Sequence, residues 1–492
     1  MNNQNLKQKA VSSIVWTSIQ KFSGMGIQFI SGIILARLLT PYDYGCIGML
    51  SIFLLLAETF IDGGFGSALI QKKQPTQEDY STIFFWNLGM AVLLYTILYL
   101  SAPAISRFYH IPLLCSVLRV QGLILFVYAF NIVQKNQLKK NLNFRLLSIV
   151  TVSTSFVTLV ITVFLAYKGF GVWALVAQNL ISAAIPAIVF WIYVKWRPIW
   201  TFSWKSFRSL FSFGFYIFLT DLLNSFGNQI QGLLIGKRFN ALTMGYYSKA
   251  HALEKLASTS ISKVMSEVTY PLYAAVQDDK TKIIEMIKRL TTSLSFLTFP
   301  LIFILILLAK PIFVLLFSER WLASVPYFQV LCLAGLPNCL QSVNLQTISA
   351  IGKSRTMFLW TLLKRMLGIA AIVCGLLAFG MKGLLAGAVF NSWFSYLVNI
   401  GLVSKHIGYK WTRQLFDLLP ITAVSVVAAL VSYGAGYLLK LDLYSDGLVK
   451  LIVFILVYVG WSVVFRPEAY VSTLSVIPAK FRFGRRLGVK TK

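Results

Sequence analysis

The fold of this chain is indicated by the stretch G32-I-I-L-A-R-L-L-T-P-Y-D-Y-G45, which recurs in outline about 200 residues later as G232-L-L-I-G-K-R-F-N-A-L-T-M-G245. Glycine matches glycine at both ends, aliphatic residues match aliphatic residues, and Arg37 matches Lys237. A second pair, G171-V-W-A-L-V-A-Q-N179 and G383-L-L-A-G-A-V-F-N391, follows in the same order. These matches predict an internal repeat, in which two halves of the chain have the same architecture.

The composition places both halves in a membrane. Of the 492 residues 57% are hydrophobic and only 12% are charged, whereas a soluble domain carries about 25% charged residues. About fourteen apolar runs reach membrane length, near 12–36, 44–70, 80–104, 113–134, 146–167, 170–194, 209–236, 243–277, 287–309, 323–351, 356–380, 383–404, 415–439 and 447–465. The sequence therefore predicts an all-α polytopic membrane protein with about 14 transmembrane helices.

The net charge of +29 follows from the orientation of these helices. An even number of spans puts both termini on one side, and most lysines and arginines fall in the termini and even-numbered loops, such as Lys135, Lys139 and Lys140 after the fourth span. Cytoplasmic loops are enriched in these residues, so both termini are predicted to be cytoplasmic. We therefore expect the lipid bilayer, and not nucleic acid, to be the partner of the basic tail.

The repeat divides the chain into predicted domains. Its unit holds six spans, and because six is even, the two halves are oriented alike and are related by an axis along the membrane normal. We predict two six-helix lobes plus two C-terminal helices, with an N-terminal lobe at 1–200, a C-terminal lobe at 201–410, helices 13 and 14 at 411–466, and a basic cytoplasmic tail at 467–492. Transporters built in this way bind substrate between their lobes, and rocking of the lobes alternates access.

Several ionisable residues fall within the predicted spans. A charge inside the bilayer is expensive and normally faces a bundle interior or a water-filled cavity. The basic residues among them outnumber the acidic ones, which favours an anionic cargo such as a diphosphate or an acidic glycan. The candidate substrate-cleft residues are Lys21, Glu58, Asp62, Arg119, Asp221, Lys249, His251, Lys255, Lys263, Lys364 and Arg365.

The eighth span is the most polar of the fourteen. His251, Lys255 and Ser258 fall on one helical face, which we interpret as lining a wet cleft. Lys263 and Glu267 stand at the spacing of a helical ion pair, so a structural pair is an alternative for both. These roles are predictions from charge and periodicity alone.

Carboxylates in other spans suggest how transport is driven. Asp221, in the middle of a span, is the first candidate for proton or sodium coupling, and helix packing beside Asn224 and Asn228 is the alternative. The stretch D62-G-G-F-G66 offers either close packing or a hinge. No cofactor is expected beyond such an ion.

Signatures of bond-making chemistry are missing from the sequence. It has no GxxxxGK[ST] phosphate loop, no HExxH and no GxSxG, and its three histidines, His110, His251 and His406, do not cluster. We therefore expect a protein that is not an enzyme.

Four motifs resemble a known family. L35-A-R-L-L-T-P-Y-D-Y-G45, D62-G-G-F-G-S-A-L-I-Q71, Y270-P-L-Y-A-A-V-Q-D-D279 and F317-S-E-R-W321 are similar in order and spacing to the Wzx-type polysaccharide flippases, the colanic-acid-exporter-like branch of the multidrug/oligosaccharidyl-lipid/polysaccharide exporter superfamily. The resemblance implies movement of undecaprenyl-diphosphate-linked repeat units, for polysaccharide, capsule or O-antigen, across the bacterial inner membrane. It also implies the polysaccharide polymerase machinery as a partner.

Rival functions come from the same superfamily and from another class. A lipid II flippase also has fourteen spans, but the four motifs fit the polysaccharide branch better. An ion-coupled multidrug antiporter resembles a twelve-span form with an acidic cleft. A membrane-embedded glycan polymerase or ligase typically carries a large periplasmic loop, and no loop between the predicted spans is long enough.

Overall fold

A computed structural model describes residues 3–275, 279–351, 354–467 and 469–470 of the chain. Throughout these ranges the regular secondary structure is helical. The helices are α1 (Asn3–Leu38), α2 (Pro41–Asp62), α3 (Phe65–Gln71), α4 (Gln77–Tyr109), α5 (Leu113–Gln121), α6 (Ile124–Lys140), α7 (Phe144–Tyr167), α8 (Val172–Tyr193), α9 (Trp204–Arg238), α10 (Ala241–Ala275), α11 (Lys280–Leu307), α12 (Ala309–Phe317), α13 (Val325–Ala350), α14 (Ser354–Ile407), α15 (Trp411–Leu439) and α16 (Leu443–Phe465), with a 3₁₀ turn at Glu319–Ser324.

Membrane-length helices account for the predicted spans. In the described ranges, twelve segments are long and apolar enough to cross a bilayer. One of them, α14, contains two spans, because Phe379 and Gly380 leave the helical conformation in its middle. The polar helix α10, with 35 residues, supplies the remaining span. The prediction of an all-α, polytopic membrane protein with about 14 spans is confirmed.

Contacts among the helices divide the chain into two compact units, Met1–Ser248 and Lys249–Lys492. In the first unit α2 packs on α9 and α1 on α7, and in the second α13 packs on α14 and α11 on α15. The predicted lobe boundary at residue 200 follows the repeat and stays a prediction. The predicted tail lies outside the described residues, apart from 467, 469 and 470.

Side-chain contacts in the first unit show the relative directions of its helices. Ser51 contacts Gln229, and Thr59 contacts Ser225, so α2 and α9 are antiparallel. On α7, by contrast, Ser148 and Thr151 contact successive turns of α1, so these two helices are parallel. Both directions agree with the predicted span order, in which α2 and α9 are spans 2 and 7, and α1 and α7 are spans 1 and 5.

The first repeat pair forms a symmetric contact. Thr40 caps the start of α2 through its hydroxyl, and Asn240, about 200 residues later, caps the start of α10. A Cβ on Gly45 would lie 1.7 Å from the carbonyl oxygen of Ala241, and a Cβ on Gly245 would lie 1.7 Å from that of Pro41. Each glycine thus contacts the first residue of the other's helix, Gly45 that of α10 and Gly245 that of α2. This equivalence supports the internal repeat.

Glycines also explain the break between α2 and α3. Gly63 and Gly64 adopt left-handed backbone conformations, with φ of 53° and 75°, which glycine reaches without the steric cost of a side chain. A Cβ on Gly64 would lie 2.1 Å from the carbonyl oxygen of Gly214 on α9. The stretch D62-G-G-F-G66 therefore ends one helix and packs closely on another, which favours the packing interpretation.

Lys140, the last residue of α6, secures the short helix α3. Its ammonium donates to the carbonyl oxygens of Leu69 at 3.0 Å, of Ile70 at 3.1 Å and of Lys72. These carbonyls lie at the end of α3, where backbone acceptors have no intrahelical partner. Lys140 therefore caps α3 with a positive charge at the negative end of the helix dipole.

We expect Lys140→Met to lower the free energy of unfolding by about 1–2 kcal/mol, because methionine keeps an apolar stem but has no donor for the three carbonyls. Thermal unfolding of the purified protein in detergent measures this change. Lys73→Met, at an exposed lysine nearby, is the matched control. Equal melting temperatures for the two variants would show that the cap contributes nothing.

Candidate functional site

Three of the predicted carboxylates come together in the first unit. Glu58 and Asp62 lie one helical turn apart on α2, and Asp62 interacts electrostatically with Asp221 of α9. The hydroxyl contact between Thr59 and Ser225, at 3.1 Å, lies between the same two helices. α2 and α9 therefore share a polar seam, in which Glu58 and Asp62 are half-buried and Asp221 is exposed.

Asp62 is positioned by the break at the end of α2. Its carboxylate interacts with the backbone N–H groups of Gly64 and Gly66, at the start of α3. A Cβ on Gly66 would lie 2.8 Å from Asp62 Oδ1 and 2.8 Å from Asn136 Nδ2, so only glycine leaves room for the carboxylate here. The backbone thus holds this charge in one place, as a negative group at the positive end of a helix.

Basic residues of α6 face these carboxylates. Lys135 interacts electrostatically with Glu58 and Asp62, and Lys139 interacts with Asp62. Tyr128 lies two turns before Lys135 on α6 and interacts with all three carboxylates. We call Glu58, Asp62, Tyr128, Lys135, Lys139 and Asp221 the α2–α6–α9 cluster. It combines three acidic and two basic side chains, which suits exchange of protons or small cations near an anion.

The α6 part of this cluster was not predicted. Hydropathy places Lys135, Lys139 and Lys140 in a loop, and this prediction is wrong because α6 continues to Lys140. The apolar run ends near residue 134, but the helix continues as an amphipathic segment. A signal was present in the sequence, since Tyr128, Lys135 and Lys139 recur at spacings that put them on one helical face.

In the second unit, the candidates His251 and Lys255 lie one turn apart on α10. Lys255 is exposed, His251 is half-buried, and the two interact electrostatically across one turn. Glu254 is 5% exposed. It contacts Ser258, one turn later on α10, and Gly335 of α13. Lys255 therefore presents a charge on the open face of α10, while Glu254 lies in the contact between α10 and α13.

The predicted polar stripe of α10 is only partly open. Ser258 is 1% exposed, and its carbonyl oxygen lies 3.5 Å from Cys339 Sγ of α13, so this end of the stripe is a helix contact. The side chains of Lys263 and Glu267 lie outside the described residues, and the two interpretations of this pair stay predictions.

Lys249 lies against aromatic rings. Its ammonium is 4.4 Å from the ring centre of Phe317 and 5.6 Å from that of Trp321, and the residue is 7% exposed. Both rings belong to the motif F317-S-E-R-W321. A desolvated cation over an aromatic face gains about 2 kcal/mol, so this motif anchors the start of the α10 segment in the second unit.

The remaining candidates make other contacts. Lys364 is 6% exposed, and its ammonium donates to Asn399 Oδ1 at 2.6 Å, which joins the two spans of α14. Arg365 interacts electrostatically with Lys364. Arg119 stacks on the ring of Tyr99, 4.2 Å from its centre, and Lys21 lies half-buried on α1.

The comparison with family models and curated proteins agrees with the sequence motifs. The family model "Polysaccharide biosynthesis protein" matches residues 34–326. The teichuronic acid biosynthesis protein TuaB of Bacillus subtilis is 28% identical over 72% of this chain and 74% of its own. The lipopolysaccharide biosynthesis protein WzxC of Escherichia coli is 22% identical over 89% of both chains, and the succinoglycan biosynthesis transport protein ExoT of Rhizobium meliloti is 24% identical over 85% of this chain and 84% of its own.

Solved structures show which fold the helices form. The lipid II flippase MurJ, in an inward closed conformation, superposes with a TM-score of 0.76 over 92% of this chain and 98% of its own. An inward-facing multidrug resistance MATE family transporter of the MOP superfamily superposes with a TM-score of 0.59 over 84% of this chain and 98% of its own. Both are 16% identical to this chain, so they show the fold alone.

These findings confirm the resemblance that the four motifs indicate, and they assign the protein to transporters and not to enzymes. The family model covers more than half of the sequence, from the end of the first span to the tenth. The chain belongs to the polysaccharide biosynthesis protein family and has the fold of MOP superfamily transporters.

Proposed function

We propose that the protein is a flippase that moves undecaprenyl-diphosphate-linked oligosaccharide repeat units across the bacterial inner membrane by alternating access. In this proposal both termini are cytoplasmic, and the glycan passes from the cytoplasmic to the periplasmic leaflet. The repeat units would then be available to a polysaccharide polymerase. Family membership and the transporter fold support the proposal.

One observation carries the choice of cargo: α10, a helix of membrane length, presents Lys255 on an open face. Placing a charge at membrane depth is costly unless it faces water or a partner. His251 and Lys255 can both donate hydrogen bonds to phosphate oxygens, and charge-assisted bonds of this kind are about twice as strong as neutral ones. A diphosphate headgroup supplies the required acceptors.

Coupling to an ion is the second part of the proposal. The α2–α6–α9 cluster contains three carboxylates in a membrane-embedded unit, and a carboxylate can carry a proton or a sodium ion through the transport cycle. Lys135 and Lys139 beside them would keep the cluster near neutrality as the cation enters and leaves.

Reconstitution tests the function directly. Proteoliposomes containing the purified protein and a polyprenyl-diphosphate oligosaccharide are exposed to an external glycosidase, and the rate at which the glycan becomes accessible is followed. We expect faster exposure than in empty liposomes. Lys255→Ala is expected to slow it about tenfold, since a charge-assisted hydrogen bond is lost. Lys310→Ala, at an exposed lysine of the same unit, is the matched control.

Two results would assign a different function. Exposure of lipid II, with no exposure of other diphosphate-linked glycans, would make the protein a lipid II flippase. Ion-coupled efflux of cationic dyes, with no exposure of any glycan, would make it a multidrug antiporter.

A further inference from the structure

The second unit contains a cavity that the candidate functional site does not use. It has a volume of about 440 Å³ and lies between the start of α11 and the start of α15. It is lined by Thr281, Ile284, Glu285, Lys288, Arg289, Thr292, Tyr409 and Arg413. This volume is in the range of small-molecule sites.

One wall is a stripe along the first three turns of α11. Thr281, Glu285, Lys288 and Thr292 recur every three or four residues, the spacing that puts side chains on one helical face. Thr292 is 7% exposed, and its hydroxyl bonds to the carbonyl oxygen of Lys288 at 2.8 Å, so the deep end of the stripe is fixed.

The opposite wall is equally well held. Tyr409 is 3% exposed, and its hydroxyl is bonded to Asp417 of α15. Gln414 donates to the carbonyl oxygen of Tyr409 at 2.8 Å. Arg413 follows in the first turn of α15, a helix whose start has no side-chain cap. The cavity therefore has a base held by hydrogen bonds and an exposed arginine on its wall.

Charge on the lining favours an anion. Lys288, Arg289 and Arg413 are opposed by one carboxylate, Glu285, which leaves an excess of positive charge around the cavity. Arginine binds phosphate through two parallel hydrogen bonds, and lysine adds a point charge. Threonine hydroxyls supply further donors. A phosphate group matches this combination.

The position of the cavity points to a lipid as the source of that phosphate. It lies at the first turns of two membrane-length helices, hence at a membrane surface. Trp411 and Phe416, in the first two turns of α15, are 52% and 69% exposed, and aromatic side chains concentrate where the hydrocarbon meets the headgroups. A ligand bound here would have its charged end in the cavity and its apolar end beside these rings.

We propose that this cavity is a binding site for the phosphate-bearing headgroup of an anionic lipid, with Lys288, Arg289 and Arg413 as its phosphate ligands. The positive-inside distribution predicts that it opens at the cytoplasmic surface, where basic clusters recognise anionic lipids. The proposal goes beyond the proposed function, because a resident lipid bound here would act on the transporter whatever its cargo.

Titration of the full-length, delipidated protein in detergent, followed by native mass spectrometry, tests the site. The probes are phosphatidylglycerol, zwitterionic phosphatidylethanolamine, undecaprenyl diphosphate and inorganic pyrophosphate. We expect Lys288→Ala and Arg413→Ala each to weaken binding of an anionic lipid about tenfold, the effect of losing one hydrogen bond to a charged group. Glu285→Gln should strengthen it, and Lys405→Ala, at an exposed lysine outside the cavity, should leave it unchanged.

The probes separate the sources of the headgroup. Binding of phosphatidylglycerol that the two alanine variants weaken supports a resident lipid. Binding of undecaprenyl diphosphate that they weaken supports the site with the cargo lipid as its occupant, an outcome that rests on the proposed function. Binding of pyrophosphate without either lipid, equal binding of phosphatidylethanolamine, or unchanged binding in both variants would overturn the proposal.

Transport is measured separately on the same variants. If Arg413→Ala weakens lipid binding, the lipid site is supported whether or not the protein transports glycan. If wild-type proteoliposomes expose no glycan, that result counts only against the proposed function. The melting temperature of each variant shows that the protein is folded. Arg413 and Glu285 are exposed, so we expect Arg413→Ala and Glu285→Gln to melt near the wild-type temperature.

Discussion

Alanine in place of Gly45 or Gly245 is expected to destabilise the protein by about 3 kcal/mol or more, the upper end of the usual cost of overpacking. The added Cβ would lie 1.7 Å from a backbone carbonyl oxygen in either variant, and a backbone atom cannot move aside as the end of a flexible side chain can. The starts of α2 and α10 would have to separate, and the capped helix ends at Thr40 and Asn240 would move with them. Small residues commonly permit such close approach of membrane helices.

Thermal unfolding in detergent, together with the yield of folded protein, measures this effect. Gly89→Ala is the matched control, since no heavy atom lies within 4 Å of a Cβ built there and alanine is the better helix former by about 1 kcal/mol. A Gly45→Ala protein that melts with the wild type would refute the close contact. Similar losses in Gly45→Ala and Gly245→Ala would support the symmetry of the repeat.

Asparagine in place of Asp62 is expected to reduce transport at least about tenfold while the protein stays folded. The amide oxygen of asparagine can still accept from the N–H groups of Gly64 and Gly66, so the start of α3 keeps its cap. The negative charge that faces Lys139 and Asp221 is lost, and with it the carboxylate that the proposed ion coupling would use at this position. The reconstituted glycan-exposure assay reports the loss.

Comparison with Asp62→Ala separates charge from capping. Alanine removes the cap as well, which costs about 1 kcal/mol of stability, so it should lower both the melting temperature and transport. Asp446→Asn, at a carboxylate paired with Lys450 at 2.6 Å in the second unit, controls for removal of a charge elsewhere. Transport by Asp62→Asn at the wild-type rate would exclude a role for this charge in the cycle.

The repeat is the feature that sequence reasoning predicted best. Gly45 and Gly245 were matched by their positions alone, and the structure shows that each contacts the start of the other's helix. The reverse holds for Lys135 and Lys139, which hydropathy places in a loop because the apolar run ends before them. Their place in a charged cluster depends on α6 continuing for another turn and on α2 lying beside it.

Partners of the other candidates were also beyond the sequence. Lys364 finds Asn399 on the next span, and Lys249 finds the rings of Phe317 and Trp321. Charge alone marks all such residues as candidates for a cleft. Only the packing of helices distinguishes Lys255, which is exposed, from Lys249 and Lys364, which are buried.

By itself the sequence determined that this protein spans a membrane about fourteen times and that it belongs to the polysaccharide biosynthesis protein family. These properties follow from the sequence because the thickness of the bilayer sets the length of each apolar run, and motifs can be read along the chain. The tertiary structure alone decided which charges meet, as in the α2–α6–α9 cluster and in the basic cavity between α11 and α15. The reason is physical: such contacts join residues tens to more than a hundred positions apart, and helix packing, which no local pattern records, selects them.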